Sequence, residues 1–250
     1  MNKNLKYLIK VVKKASRLIT NNLIVDSKDE NNDLITNFDL KIETFISKKL
    51  LKKYPDFKII GEEFSSNQNK TANYFTIDPI DGTINFANGL PFFGIQIAMV
   101  KDFNTCFAVL YFPKLNLMYY ADKTGAYCNA KLLDLSKSKF ESKPLIDQIY
   151  LKNENNFYNE LTKEIPSNLR SRTIRKIYCA SLSFCWVASG AMGAFIFAKD
   201  LPWDYMPGMF LTEKANGATS QFKYNNQLYF IAAVNKETLN NVINAIKKTQ

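Results

Sequence analysis

The sequence predicts a layered fold of the α/β or α+β class, in which helices pack on the faces of β-sheets. Some segments repeat apolar residues every three or four positions, as amphipathic helices do, and others form short apolar runs bounded by turn residues, as buried strands do. The two kinds of segment alternate in both halves of the chain. With 250 residues, of which 46% are hydrophobic, the chain is long enough for one domain with a sizeable core.

The helical segments are predicted from apolar positions that share one face. Leu5, Leu8 and Val12 do so near the N-terminus, and Thr36 or Asn37 is a suitable N-cap for the next helix. The uncharged stretch 177–198 is interrupted by serine and glycine, so we interpret it as a buried helix ending near 190 and a buried strand, not a membrane span. The predicted helices besides that one are residues 5–19, 39–54, 157–163, 206–215 and 236–247.

The strands are predicted from apolar runs that end at Gly, Asp or Asn. They are residues 57–60, 74–77, 93–100, 105–112, 117–121, 126–128, a segment near 149, the segment after 190, and 228–234. The polar, lysine-rich stretch 136–144 is the best internal boundary. We therefore expect a single domain, 1–250, with possible subdomains 1–140 and 141–250.

Several classes of site are excluded by composition. The chain has no histidine, which rules out a Ser-His-Asp apparatus and a zinc site with histidine ligands. The cysteines form no C-x-x-C pair, and we interpret all of them as small buried hydrophobes in a reducing compartment. They are Cys106, Cys128, Cys179 and Cys185. The N-terminus lacks a signal-peptide pattern, so a cytoplasmic location without membrane insertion is expected.

The net charge of +10 has two interpretations. It can attract anions such as phosphorylated metabolites or nucleic acid, or it can reflect a general bias toward lysine. The lysines are scattered and only four arginines occur, although arginine is the usual reader of bases and phosphates. The second interpretation is favoured, and nucleic acid is not the expected partner.

The densest functional signal is the run Asp78-Pro79-Ile80-Asp81-Gly82-Thr83 at the end of a predicted strand. Gly82 permits a sharp turn, and Thr83 can start a short helix whose N–H groups bind a phosphate oxygen. Two adjacent carboxylates repel each other unless a cation lies between them, and their hard oxygen ligands suit Mg²⁺. Taken alone, the pattern is also compatible with a capped turn whose acids are solvated.

Three further acidic clusters lie at the ends of predicted elements. Gly61-Glu62-Glu63 follows a strand, and Asp39 and Glu43 lie four residues apart on one helical face. Trp203-Asp204 lies between a strand and a helix. Each has an alternative as a surface acid or a cap, but together they form four acidic clusters in a basic protein.

This set of motifs, in this order, resembles the inositol monophosphatase family over nearly the whole chain. The resemblance implies an αβαβα sandwich of the inositol monophosphatase/fructose-1,6-bisphosphatase type. It also implies a Mg²⁺-dependent, lithium-sensitive phosphomonoesterase that forms a homodimer. Its substrate would be a small phosphorylated metabolite.

The resemblance also assigns residues to two or three Mg²⁺ ions. Glu62, Asp78 and the Ile80 carbonyl would hold the first ion, and Asp78, Asp81 and Asp204 the second. A third, weaker ion would involve Glu62 and lie near Glu63. Thr83 and Asp39 would orient the metal-activated water that attacks phosphorus, and the Gly82 and Thr83 amides would bind the phosphate.

The substrate side departs from the family pattern. A glutamate that binds ring hydroxyls in many members is replaced by Phe197, with Asp200 nearby as a substitute. Ala180 matches a position whose backbone meets the substrate, together with Asp81. Tyr178 replaces the usual glycine and can narrow the pocket, stack on a ring, or simply lie half-buried at a strand end.

The substrate is consequently left open. Inositol monophosphate, another sugar or polyol phosphate, fructose 1,6-bisphosphate, histidinol phosphate and adenosine 3′,5′-bisphosphate are the candidates. An RNA- or protein-binding module with vestigial activity is the alternative from another class.

Overall fold

The computed structural model describes residues 1–27, 34–64, 71–137, 146–149, 161, 163–164 and 176–249. The helices in this part of the chain are α1 Lys3–Ser16, α2 Asn37–Lys53, α3 Thr83–Ala87, α4 Ala180–Ala188, α5 Pro202–Lys214 and α6 Lys236–Lys248. The strands are β1 Val25–Ser27, β2 Leu34–Thr36, β3 Lys58–Gly61, β4 Tyr74–Asp81, β5 Gly94–Lys101, β6 Asn104–Phe112, β7 Leu117–Asp122, β8 Gly125–Cys128, β9 Lys131–Leu133, β10 Ile146–Ile149, β11 Ala194–Phe197, β12 Ala218–Tyr224 and β13 Gln227–Ala233.

Most of these strands form two mixed sheets. The larger has the order β3-β4-β5-β6-β7-β8-β9, with β3 and β4 parallel and the other neighbours antiparallel. The smaller has the order β10-β11-β13-β12, with β10 and β11 parallel. Strands β1 and β2 pair as a separate antiparallel ribbon that leads into α2.

The helices fill the layers outside and between the sheets. Apolar residues of α1 and α2, such as Leu8 and Ile42, pack on one face of the large sheet. Its other face packs against α4 and α5, which also cover the small sheet through Phe184 and Phe195. Helix α6 covers the outer face of the small sheet with Val242 and its neighbours. The order of layers is therefore αβαβα, as predicted.

The element predictions differ from the structure where the segments are short or exposed. The sequence pattern does not predict β1, β2, β9 or β12, and the helix predicted from 206 begins at Pro202, as α5. The predicted helix 157–163 lies mostly outside the described residues, where Leu161 and Lys163 are helical. The predicted boundary 136–144 also lies mostly outside them, and the core between the sheets joins both predicted subdomains.

The long uncharged stretch is divided between α4 and β11, as predicted. Among the described residues, no helix combines the length and the apolar character needed to cross a membrane. All four cysteines are free thiols. Cys179 and Cys185 are buried as predicted, whereas Cys106 and Cys128 are only partly buried and pack at the margins of the two main cores.

Candidate active site

The run from Asp78 to Thr83 forms the end of β4 and the turn that follows it. The register between β4 and β5 shifts between Asp78 and Asp81, which aims both carboxylates away from the regular ladder. Gly82 then adopts a left-handed conformation, with φ of 84°, and α3 begins at Thr83. A Cβ atom at Gly82 would lie 2.7 Å from the Phe92 carbonyl oxygen, so the turn requires glycine.

Three buried carboxylates meet beside this turn. Asp78, Asp81 and Asp204 each offer an oxygen within 4.8 Å of the others. Asp204 reaches them from the first turn of α5, where Pro202 occupies the first helical position. Trp203 and Asp204 thus lie inside a helix, not before one as the sequence analysis predicted.

Burial and mutual repulsion make these carboxylates hard to ionise together. Burial raises the pKa of Asp78 well above its ordinary value, and the charges of Glu62, Asp81 and Asp204 raise it further. The pKa of Asp204 is raised well above its ordinary value by burial and by the charges of Asp81 and Glu62, while a hydrogen bond with Asp78 and the charge of Lys199 lower it. A cation among them would relieve both effects.

The carboxylates differ in how many hydrogen bonds they receive. Asp81 accepts from Ser181 N (2.6 Å), Ala180 N (3.2 Å), Cys179 Sγ (3.1 Å) and the Ser181 hydroxyl. Asp78 Oδ2 accepts from Gln96 Nε2 (3.1 Å), whereas its buried Oδ1 has no hydrogen-bond partner in the described part of the protein. An acceptor in that condition is suited to a metal ion.

Helix α2 fixes the Gly61-Glu62-Glu63 loop through the side chain of Glu43. The fully buried Glu43 carboxylate accepts hydrogen bonds from Glu63 N (2.8 Å) and Phe64 N (3.1 Å). The loop places Glu62 at the carboxylate cluster, which its charge perturbs. Glu43, which the sequence analysis noted only as an acid at helical spacing, therefore positions this loop.

Thr83 and Asp39, which the resemblance pairs in orienting the attacking water, make hydrogen bonds to different groups in the described structure. The buried Asp39 carboxylate accepts from Thr36 N (2.7 Å) and Thr36 Oγ1 (2.5 Å), which makes it part of a capping box at α2. The Thr83 hydroxyl donates instead to the Ile80 carbonyl oxygen (2.9 Å). Because a hydroxyl has one hydrogen, Thr83 does not also donate to Asp39 in this arrangement.

A cavity of about 100 Å³ opens over the cluster. It unites nine of the residues that the sequence analysis singled out with further lining residues. Those nine are Glu62, Asp78, Ile80, Asp81, Gly82, Thr83, Tyr178, Ala180 and Asp204. Four other candidates contribute no lining surface, namely Asp39, Glu63, Phe197 and Asp200.

Two candidate substrate residues lie elsewhere for physical reasons. Phe197 is fully buried and packs against Phe195 and Phe230 in the core, so its assignment to substrate binding was wrong. Asp200 is exposed and accepts a hydrogen bond from the Tyr205 hydroxyl (3.3 Å), outside the cavity. The predicted substitution of Asp200 for the family glutamate finds no support in this geometry.

Comparison with known proteins decides the family. The sequence model of the inositol monophosphatase family matches residues 2–249. The chain belongs to this family.

Relatives within the inositol monophosphatase family carry different names. Inositol monophosphatase 2 of Saccharomyces cerevisiae is 32% identical over 219 residues, covering 79% of this chain and 73% of that protein. Nus factor SuhB of Escherichia coli is 29% identical over 236 residues, covering 89% and 86%. A solved Thermotoga maritima IMPase matches the whole of both chains with a TM-score of 0.83 and 26% identity.

Four residues of this inositol monophosphatase-family site were missed by sequence reasoning. Gln96 and Asn85 are buried amides, and Cys179 and Ser181 donate to Asp81. Asn85 Nδ2 donates to Phe92 O (2.9 Å) and Ile177 O (2.8 Å), which joins the turn to the segment before α4. A lone glutamine within the otherwise apolar β5 was a usable signal, because a buried amide needs a partner.

Proposed function

We propose that this chain is a Mg²⁺-dependent phosphatase that hydrolyses a small phosphorylated metabolite. The observation that carries the proposal is the cluster of Asp78, Asp81 and Asp204, in which the buried Asp78 Oδ1 has no partner among the described residues. Oxygen ligands of this hardness, in a small and largely buried site, fit Mg²⁺. Membership of the inositol monophosphatase family supports the same reaction class.

In this proposal two or three Mg²⁺ ions are held by residues that line the cavity. Asp78 is shared between a first set with Glu62 and the Ile80 carbonyl and a second set with Asp81 and Asp204. Glu63 would contribute only to a third, weaker ion, since its side chain lies off the cavity. Bound Mg²⁺ supplies a water of lowered pKa and neutralises charge that develops on the phosphoryl group.

The protein residues then bind and orient the reactants. The first N–H groups of a helix have no acceptor within it, so those of Gly82 and Thr83 are available to phosphate oxygens. Thr83 Oγ1 donates to Ile80, which leaves its lone pairs to accept a hydrogen from the attacking water. Asp39 acts at a distance in this scheme, by capping the helix that carries Glu43.

The preferred substrate need not be myo-inositol phosphate. Phe197 occupies the core, so the family's usual glutamate contact to ring hydroxyls has no counterpart at that position. The name of the yeast relative favours inositol monophosphate, and other sugar or polyol phosphates, histidinol phosphate and adenosine 3′,5′-bisphosphate are alternatives.

The test combines turnover with metal binding. Phosphate release from inositol 1-phosphate, fructose 1,6-bisphosphate, histidinol phosphate and adenosine 3′,5′-bisphosphate is measured with Mg²⁺ and with EDTA, and Mg²⁺ affinity is measured by calorimetry. Asp78→Asn should abolish release and weaken Mg²⁺ binding. Asp122→Asn removes another buried acid, one bonded to Thr124 away from the site, and should preserve both. Equal Mg²⁺ affinity in wild type and Asp78→Asn would contradict the proposal.

The remaining expectations from the family resemblance stay predictions. They are lithium sensitivity and a homodimer. The cytoplasmic location expected from the N-terminal sequence likewise stays a prediction. An RNA- or protein-binding role is the second candidate, because one relative is named a Nus factor and the chain carries a net charge of +10. Filter binding of RNA should show a steep decrease with salt only if several phosphates are contacted.

A further inference from the structure

The cavity over the carboxylates is too small for a whole metabolite. Its volume is about 100 Å³, whereas ligand pockets usually measure about 300–1,000 Å³. The phosphoryl end of a substrate therefore occupies the cavity, and the alcohol that leaves must lie against its rim. Besides the carboxylates and the 80–83 turn, the cavity is lined by the side chains of Leu34, Ile84, Tyr178 and Leu201 and by one cation, Lys199.

Tyr178 is the unusual member of the rim. Its φ is 53°, in the left-handed region that a bulky side chain rarely adopts. Its side chain is 47% exposed, and within the described residues its ring has no aromatic partner. A tyrosine held in a costly conformation without packing into the core is not explained by stability, which directs attention to function.

The backbone at Tyr178 is anchored to the turn that contains Gly82 and to the short helix α3 that follows it. Asn85 Nδ2 donates to the Tyr178 carbonyl (3.3 Å), and the next residue, Cys179, donates its thiol to Asp81. A Cβ atom built on Gly82 would lie 3.3 Å from the Tyr178 carbonyl oxygen. The ring therefore projects from a point fixed beside the place where the phosphoryl group would sit.

We propose that the Tyr178 ring is a stacking platform for the leaving alcohol, and that the site favours phosphomonoesters of nucleosides over those of polyols. The inference rests on the proposed phosphatase function and deepens it. An aromatic face stacks on a purine without reading its hydroxyls, and the neighbouring Ile84 adds apolar contact at 48% exposure. A polyol gains little from either surface, and the buried Phe197 offers it no acidic partner.

Two pairs of substrates test the platform in the full-length protein with Mg²⁺. Adenosine 5′-monophosphate and ribose 5-phosphate share the same primary ester and differ by the base. Adenosine 2′-phosphate and inositol 1-phosphate are both esters of secondary alcohols. We expect kcat/KM to favour the adenosine member of each pair by about tenfold, the scale of one base stacked on an aromatic ring.

The variants separate stacking from strain. Tyr178→Gly should remove the preference, and Tyr178→Phe should keep it. Phe103→Gly is the matched control, because Phe103 is an aromatic residue in the β5–β6 turn with φ of 62° and 73% exposure, remote from the cavity. That control relieves the same backbone conformation and should leave the preference unchanged.

The outcomes distinguish the inference from the function beneath it. Equal hydrolysis within both pairs, or a preference that survives in Tyr178→Gly, would overturn the platform and leave the phosphatase intact. Absence of Mg²⁺-dependent release from these four esters and from the whole panel named under the proposed function would overturn the phosphatase. In that case the stacking role of Tyr178 is tested by calorimetry, which measures the affinities for adenosine 5′-monophosphate and ribose 5-phosphate. The stacking role is supported only if the nucleotide binds more tightly to the wild type and this difference is lost in Tyr178→Gly.

Discussion

Gly61 and Glu43 form a steric lock beneath the Glu62 loop, and the lock can be tested by a double-mutant cycle. A Cβ atom on Gly61 would lie 2.2 Å from Glu43 Oε1 and 2.6 Å from Glu43 Cδ. The φ of Gly61 is not in the left-handed region, so alanine is excluded only by this contact. Glu43 cannot retreat freely, because its two oxygens accept from Glu63 N and Phe64 N.

The expected energies follow from that geometry. Gly61→Ala overpacks a buried contact and should lower the free energy of unfolding by about 1–3 kcal/mol. After Glu43→Ala the new methyl group has room, and alanine should then stabilise by about 0.4–1 kcal/mol through the unfolded state. The coupling free energy between the two positions should thus be about 1.4–4 kcal/mol.

Urea unfolding of the four proteins measures this coupling, and Mg²⁺ calorimetry measures its effect on the site. Gly61→Ala should weaken Mg²⁺ binding by about 10–100-fold, the usual cost of disturbing a group that orients a metal ligand. Glu43→Asp, which shortens the side chain and keeps the acceptor, replaces Glu43→Ala if that variant does not fold. Additive effects within about 0.5 kcal/mol would refute the lock.

Three further outcomes are expected. Without metal, the free energy of unfolding should fall as pH rises above about 4, because the raised pKa values of Asp78 and Asp204 let the folded chain keep protons that the unfolded chain releases. Mg²⁺ should remove that fall. Urea unfolding at pH 4.5 and 7, with Mg²⁺ or with EDTA, measures it, and an equal free energy of unfolding at both pH values in EDTA would contradict the prediction. Asn85→Asp should cost about 3 kcal/mol or more, since it turns a donor toward carbonyl oxygens into an acceptor; the exposed Asn88→Asp should cost under about 1 kcal/mol in the same assay, and equal costs would contradict the clamp. Phe197→Glu should destabilise the core by several kcal/mol without improving KM for inositol 1-phosphate, and an improved KM would contradict the assignment of this position to the core.

The layered fold could be predicted because its central strands are easy to recognise in the sequence. Strands β5 and β6 are buried on both faces, so they read as continuous apolar runs. Strand β12 could not be recognised in that way, because in the described part of the chain it is an edge strand beside β13, and after Ala218 its residues are half-buried or exposed. The usable signal was the Asn225-Asn226 turn, in which both residues have positive φ, as a two-residue hairpin requires.

The carboxylate cluster was predictable for a related reason, while its supports were not. Asp78 and Asp81 lie where a strand ends at a glycine turn, and the proline and glycine that mark this turn are visible in the sequence. The partners of Asp81 come from residues about a hundred positions away, so only the folded chain shows them. The hydroxyl direction of Thr83 is likewise set by the local turn to Ile80, which spacing alone does not reveal.

The uneven support of the carboxylates explains how the site can be both rigid and receptive to a cation. Asp81 receives four hydrogen bonds from the start of α4, which fix its orientation before any ligand binds. Asp78 receives one, from Gln96, and keeps a buried oxygen unsatisfied within the described structure. A cation therefore gains most at Asp78, because that oxygen has lost its water without gaining another partner. Asp78 therefore contributes most of the electrostatic attraction for the cation, and Asp81 fixes the position of a ligand oxygen. Asp78→Asn should weaken Mg²⁺ binding more than Ser181→Ala, which removes only one of the four donors to Asp81.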